Sequence, residues 1–415
     1  MHILIVTQYF WPENFRINDL TEGLLEKGHK VTVLTGIPNY PAGSFFPEYG
    51  LFRNLRQDFK GAKVIRVPLI PRGNGSGLRL ALNYFSFALF ASVLAPFLCR
   101  DKYDAIFVFE PSPITVGLPA LVLKKWKSIP VLFWVQDLWP ESLTATGAVR
   151  SPWIINKVRA LVGFIYRGCD RILVTSQAYY PPVQSFGIDS KTLRYFPQSV
   201  EAVYQPVKVE VDASEDALML KGFRVMFAGN LGAAQSFGTI LDAAEKLKST
   251  PGIKIIIVGD GRMRSWIEEE VGKRGLGETV QLLGRYPLEA MPRFFALADA
   301  LLVTLKREPI FALTIPGKIQ SYFACGKPVI AALDGEGSRL IDEAKAGITC
   351  PAEDADALAK AILAMAKMPR EGRVAMGESA LNYYHENFNR DLLIARLEKW
   401  MLELSGGNLE GLSLQ

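Results

Sequence analysis

Lys318 stands two residues after Pro316 and four after Thr314, at the head of a segment that brings Ile319, Tyr322 and Phe323 to helical spacing. Thr314 is an available N-cap, and Pro316 suits a first turn because it has no amide hydrogen to leave unpaired. A helix is therefore predicted to start near Pro316 and to stop at Gly326, ahead of the apolar run Val329–Ala332. Unpaired N–H groups, the positive dipole end and a lysine in one turn make a place to hold a phosphate. An ordinary helix–strand unit with a surface lysine uses the same residues, and at this point both readings stand. A second group is Asp137 and Glu141, which follow the apolar run Val131–Val135. In open α/β sheets ligands bind outside the carboxyl ends of strands, so both are candidate catalytic carboxylates. The local alternative is a turn cap for Asp137 and a solvated Glu141.

Composition narrows the chemistry. The formal net charge of +5 suits an anionic substrate or a membrane surface better than a nucleic-acid groove, so no nucleic acid is expected as a partner. Cys99, Cys169, Cys325 and Cys350 lie far apart with no C-x-x-C pair, which suggests neither zinc site nor disulfide framework and fits a reducing cytoplasm. With only three histidines, a histidine-rich metal site is excluded and a Ser-His-Asp triad is disfavoured; no metal is expected. The N-terminus runs directly into Ile3-Leu4-Ile5-Val6, without the basic and apolar regions of a signal peptide.

The elements that must position these groups alternate along the chain. Residues 2–7 read as a buried strand, 16–27 as a helix stopped by Gly28, and 31–34 as the next strand. Short joins imply right-handed parallel crossovers, hence a doubly wound sheet. The loop Gln8–Phe15 contains no G-x-G-x-x-G, so a nicotinamide dinucleotide is disfavoured there. Residues 36–62 read as an irregular aromatic loop and 64–70 as strand. Leu80 to Cys99 carries no charge and is long enough to cross a bilayer. It lies between strands 64–70 and 105–109, however, and a crossing helix would put members of one sheet on opposite sides of the membrane. It is expected as a crossover helix, either buried or showing one face to lipid, with Arg72, Arg79, Arg100 and Lys102 at its flanks. Helices at 114–125 and 153–166 with strands 131–135 and 171–176 complete the first unit, and a linker follows Phe196. A second alternating unit runs from Arg224, with strands at 224–230, 254–258, 280–283 and 300–303. At 415 residues the chain exceeds one ordinary core. The expected architecture is α/β, with two doubly wound Rossmann-like domains (1–205 and 206–378) facing across a cleft. One helix over 379–404 is expected to pack back on the N-terminal domain, ahead of a flexible tail, 405–415.

Seven motifs in register, Q-Y-F-W-P-E-N, E-K-G-H-K-V-T-V-L-T, W-V-Q-D-L-W-P-E-S, F-A-G-N-L-G, V-G-D-G, L-L-G-R-Y-P and F-A-C-G-K-P-V-I, span almost the whole chain. Together they resemble group 1 (family 4) retaining glycosyltransferases of the GT-B fold. The chain is most similar to the bacterial surface-polysaccharide branch that includes L-fucosamine transferases of O-antigen and capsule assembly. The resemblance implies metal-independent transfer of a sugar from a nucleotide-sugar, UDP-linked, held by the C-terminal domain, to an acceptor held by the N-terminal domain. No cofactor is implied beyond that substrate. By position, Gly229, Asn230 and Gln235 with Lys318 and Arg262 fall to the diphosphate, Arg285 and Tyr286 to the base, and Leu313 and Thr314 to the donor sugar. Asn14 and Arg16 fall to the acceptor side, and Asp137 to the acceptor hydroxyl with Glu141 nearby. Asn230 and Gln235 replace an arginine and a lysine that many relatives carry, and the family's paired glutamates fall on Leu313 and Ser321; Ser321 is left to hydrogen-bond a ribose. Gln136 stands where many relatives have histidine. The implied acceptor is a saccharide on a polyprenyl diphosphate, with helix 80–99 and the aromatic loop 45–52 seating the protein peripherally at the cytoplasmic face of the plasma membrane. Two readings compete: a catalytically silent nucleotide-sugar-binding subunit, and a GT-B-like UDP-sugar epimerase, which the scarcity of histidine disfavours.

Overall fold

Uninterrupted apolar runs become central strands because a parallel sheet covered on both faces has no solvent side to be polar. The computed structural model describes residues 1–145, 149, 151–209, 214–250 and 252–407. By its internal contacts the chain divides into Met1–Pro197 together with the chain from Arg390 on, and Gln198–Asn389.

The first unit runs β1 (His2–Val6), α1 (Arg16–Glu26), β2 (Lys30–Gly36), β3 (Arg56–Phe59), β4 (Ala62–Val67), α2 (Gly77–Leu98), β5 (Ala105–Glu110), α3 (Gly117–Lys127), β6 (Val131–Val135), α4 (Glu141–Ala145), α5 (Pro152–Gly168), β7 (Arg171–Val174), α6 (Tyr180–Gln184) and β8 (Leu193–Tyr195). Its strands are ordered β3-β4-β2-β1-β5-β6-β7-β8, with only the β3–β4 pairing antiparallel. The second unit runs α7 (Ser214–Ala217), β9 (Phe223–Ala228), α8 (Phe237–Leu247), β10 (Ile253–Val258), α9 (Arg264–Lys273), β11 (Val280–Gly284), α10 (Met291–Ala296), β12 (Ala300–Thr304), α11 (Pro309–Leu313), α12 (Gly317–Ala324), β13 (Val329–Ala332), α13 (Glu336–Glu343), β14 (Gly347–Cys350), α14 (Ala355–Lys367) and α15 (Arg370–Asn387). Its sheet is parallel throughout, in the order β11-β10-β9-β12-β13-β14. In each sheet the winding reverses once, between β1 and β5 and between β9 and β12, and such switch points are where open α/β sheets leave a crevice.

The final helix, α16 (Arg390–Ser405), returns to the first unit. Its Leu393, Ile394 and Leu397 join Ile17, Leu20 and Leu24 of α1 over the sheet face that presents Ile3, Ile5 and Phe107. His29 and Glu398 meet at 2.5 Å, and the Arg390 guanidinium lies 3.1 Å from Asp19 and 2.8 Å from Glu26. The other face of the sheet is covered by α2, α3 and α5, with α3 packed against both its neighbours. Gly117 is required at that packing, since a Cβ there would lie 2.5 Å from Ile165.

Five expectations are corrected. The segment 379–404 is two helices, because the chain turns at Phe388 and Asn389, and α15 belongs to the second unit. The division between units falls after Pro197, not Gln205. The irregular stretch 36–62 contains β3, and the predicted helix 114–125 opens as a tighter turn over Ile114–Val116. Thr314 does not cap α12: its hydroxyl donates back to Ile310 O at 2.9 Å, and Pro316 occupies the cap position. Ser405 closes α16; residues 408–415 of the expected tail lie outside the described residues.

Candidate active site

In the second unit the β9/β12 switch point is built by α12. Lys318 and Tyr322 lie one turn apart on that helix and so share a face. The Tyr322 hydroxyl accepts the Ala228 amide at 3.1 Å, which fixes α12 against the carboxyl end of β9. Lys318 Nζ then donates to Gln235 Oε1 at 2.7 Å and sits 4.7 Å from the centroid of the Phe227 ring. Burial pushes its ammonium down to about 8, and no carboxylate pairs with it among the described residues. Gly229 has φ +136°, and a Cβ there would lie 2.8 Å from Lys318 Cε, so the backbone passes close to the lysine because that residue is glycine. Thr304, closing β12, donates its hydroxyl to Gln235 O at 2.5 Å, and Lys306 N donates to Ala234 O at 2.9 Å. Gly229, Gln235 and Lys318 are therefore brought together, beside the start of a helix and with an uncompensated cation. That arrangement can receive a diphosphate.

The other expected donor residues surround it unequally. Asn230 is exposed, and its side-chain oxygen would be 2.7 Å from a Cβ on Gly261, so the Gly259–Gly261 turn is packed against the Gly229 loop. Arg262 follows that turn and is exposed. Arg285 and Tyr286 follow β11, whose Gly284 carbonyl accepts the Gly259 amide at 2.7 Å; Arg285 is exposed and the Tyr286 ring lies 4.5 Å from that of Phe294. Leu313 closes α11, which the Gly335 turn holds closely: at φ +75°, a Cβ on Gly335 would meet Ala312 O at 1.9 Å. Ser321 departs from expectation. It is 6 % exposed and its hydroxyl donates to Gly317 O, so it is turned into its own helix and not outward toward a ribose.

In the first unit, Asp137 follows β6 as expected, and burial raises its carboxyl to about 6. Glu141 is separate from it in character: it opens α4 and pairs at 3.2 Å with Arg159 on the surface. The sequence reading missed Glu110, which closes β5 at the switch point and is fully buried. Glu110 Oε2 accepts the amides of Gln136 and Asp137 at 3.3 and 3.4 Å, and Oε1 has no hydrogen-bond partner among the described residues. Burial first, and the Asp137 charge second, raise its pKa well above the ordinary range. A charged residue ending an otherwise apolar strand, Ala105–Glu110, was the available signal.

A second missed carboxylate organises the loops after β1 and β2. Glu13 accepts the amides of Asn39 and Tyr40 at 2.8 and 2.7 Å and that of Phe10 at 3.3 Å; burial raises it to about 7. Its neighbours Asn14 and Arg16 are exposed and half-buried. Around them, the Arg72 guanidinium stacks at 5.1 Å on Tyr40 and 5.7 Å on Tyr9, donates to the Tyr9 hydroxyl at 2.6 Å, and has no carboxylate partner among the described residues. Phe15 stacks on Tyr9 at 5.2 Å. Aromatic faces with a fixed guanidinium suit a sugar or its phosphate.

Comparison with known proteins follows the same division. Residues 14–198 match the family model described as glycosyl transferase 4-like domain, and residues 222–368 match that described as glycosyl transferases group 1. The chain is 25% identical over 338 residues to the putative colanic acid biosynthesis glycosyl transferase WcaI of Escherichia coli (strain K12), covering 79% of this chain and 82% of that protein. It is 31% identical over 236 residues to the probable glycosyltransferase WbjE of Pseudomonas aeruginosa, covering 55% of this chain and 58% of that protein. Among solved structures, Anabaena Alr3699/HepE in complex with UDP superposes with a TM-score of 0.72 at 15% identity, over 97% of this chain and all (100%) of the other.

Proposed function

Because the chain belongs to the group 1 glycosyltransferases, we propose that it transfers a sugar, with retention and without a metal, from a UDP-sugar to a saccharide carried on a polyprenyl diphosphate in bacterial surface-polysaccharide assembly. The observation that carries the donor half is the convergence of Gly229, Gln235 and Lys318 where β9 and β12 part. As the bond from the anomeric carbon to the leaving phosphate breaks, negative charge gathers on the diphosphate, and the Lys318 ammonium with the amides at the start of α12 stabilises it. In a retaining transfer the acceptor oxygen attacks on the face that the phosphate vacates, and the departing phosphate oxygen takes its proton. A strong protein base is then unnecessary, and Asp137 serves to orient the acceptor hydroxyl.

The UDP complex of HepE and the names of WcaI and WbjE support the nucleotide and the pathway class. The exposed apolar side of α2 supports an acceptor held in a membrane, and in this reading the enzyme works peripherally at the cytoplasmic face. The loops that hold Arg72 and Tyr40 are the acceptor side of this scheme. Calorimetric titration with UDP-, GDP- and ADP-linked sugars tests the donor, with UDP-N-acetyl-L-fucosamine first, followed by transfer to a short polyprenyl diphosphate saccharide. Binding restricted to a GDP- or ADP-sugar, or an anomer inverted in the product, would overturn the proposal.

A further inference from the structure

Every charged residue in α2, α3 and α5 is a lysine or an arginine. These helices form one layer on the first unit's sheet, and their outward side chains are largely apolar. On α2, Leu78, Leu82, Phe85, Leu89, Val93 and Phe97 recur at helical spacing and are exposed, Phe85 and Phe97 at 60% each. The Trp126 ring of α3 lies 6.5 Å from Phe97 and is 66% exposed; on α5 Trp153 and Phe164 are exposed at 69% and 58%. The layer on the opposite face differs, since α1 carries Asp19, Glu22 and Glu26 and α16 carries Asp391, Glu398 and Glu403.

We propose that the outer side of α2, α3 and α5 is a docking surface for a lipid bilayer bearing anionic head groups; this rests on, and makes specific, the membrane-held acceptor proposed above. Exposed tryptophan, phenylalanine and leucine among lysines match the boundary between acyl chains and head groups, where amphipathic rings and snorkelling cations are both satisfied. Charge selects the lipid. The acids that border the layer are already matched: Asp170 by Lys124 at 2.7 Å, Glu141 by Arg159 at 3.2 Å and Asp101 by Lys63 at 2.9 Å. Arg79, Lys125, Lys127, Lys157 and Arg167 take part in no described ion pair and give the face an uncompensated positive charge. A second copy of the chain is a poor occupant, because a two-fold interface would set these cations against themselves.

The helix lies on the membrane and does not cross it. The strands it joins, β4 and β5, belong to one sheet, and its buried polar side is tied down by Asn83, which accepts from Gln8 Nε2 and donates to Ile70 O, each at 2.6 Å. A shallow recess lined by Leu121, Lys124, Lys125 and Phe164 opens in the same face.

Co-sedimentation of the full chain with vesicles of phosphatidylcholine, or of equal parts phosphatidylcholine and phosphatidylglycerol, tests the surface. Neither donor nor acceptor is present, so an error in the glycosyl-transfer reading leaves the outcome unchanged. Partitioning should be at least about tenfold stronger on the anionic vesicles and should weaken with salt. Phe85→Ser with Leu89→Ser and Phe97→Ser should abolish binding to both vesicles, and Lys125→Glu with Lys157→Glu should abolish only the anionic preference. Thermal melting and transfer to a water-soluble acceptor analogue should be unchanged in both variants, since all five side chains are exposed. Equal partitioning of the wild type on the two vesicles, undiminished binding by either variant, or a wild-type dimer that the apolar substitutions dissociate would overturn the proposal.

Discussion

Lys318 Nζ and Gln235 Oε1 lie 2.7 Å apart, a cation held by a neutral amide where a carboxylate would have cancelled its charge. The amide fixes direction and leaves the field of the ammonium available to an anion. Replacing Lys318 with alanine removes a charge-assisted contact of about 1.5–3 kcal/mol, so the donor Kd should rise about 10- to 100-fold by calorimetry. Gln235→Ala should cost less, because the ammonium remains. Since burial has lowered the lysine to about 8, donor affinity of the free enzyme should also decline as pH rises through that value, and the alanine variant should lose this dependence. An unchanged Kd for Lys318→Ala would remove the diphosphate from this turn.

Gly229 tests the same site through the backbone. Its φ of +136° is open to glycine alone, and a methyl group would press on Lys318 Cε. Gly229→Ala should weaken donor binding about as much as loss of the lysine does. The melting temperature should fall at the same time, which distinguishes it from Lys318→Ala.

Strands were legible in the sequence because burial on both faces leaves an unmistakable apolar run, as at Ile3–Val6 and Val131–Val135. The cluster of Gly229, Gln235 and Lys318 was legible only through the resemblance, since residues 229 and 318 meet through sheet order. The break at Phe388 was not, because apolar spacing continues from α15 into α16 although the two helices serve different units. The ribose role of Ser321 came from the resemblance alone, and a carried-over position does not say which neighbour a hydroxyl will choose; here it donates to Gly317 O. Glu110 and Glu13 are charged residues whose meaning depends on other strands and loops, Glu110 on β6 and Glu13 on the turn at Asn39 and Tyr40.

Arg72 is held by Tyr9 and Tyr40 with no acid to neutralise it. If it receives the anionic part of the acceptor, Arg72→Ala should raise the acceptor KM about tenfold, equivalent to roughly 1.4 kcal/mol, and leave the donor Kd unchanged. Arg72→Lys should recover only part of the loss, because an ammonium cannot stack and fork as the guanidinium does. A raised donor Kd with normal acceptor kinetics would move this arginine to the other substrate.

Glu110, fully buried, and Asp137, half-buried, are carboxyls on neighbouring strand ends, and no cation is paired with either among the described residues. The two have different consequences. Asp137, at about 6, is ionised at neutral pH, so kcat/KM should rise as pH passes through that value, and Asp137→Asn should lower kcat at least about 100-fold with little change in donor Kd. Burial, and the Asp137 charge after it, oppose the ionisation of Glu110 and raise its carboxyl well above the ordinary range, which favours its neutral form. A carboxyl whose folded pKa lies above its unfolded value stabilises the fold fully below the unfolded pKa, about 4, and loses that contribution as pH rises through the folded pKa. Glu110→Gln keeps the neutral shape and cannot ionise. Its urea stability should therefore gain on the wild type as pH rises above about 4, with kcat within about threefold. Should Glu110→Gln instead abolish turnover while the fold and donor binding persist, Glu110 would be the ionised group that orients the acceptor hydroxyl and the roles of the two carboxyls would be exchanged.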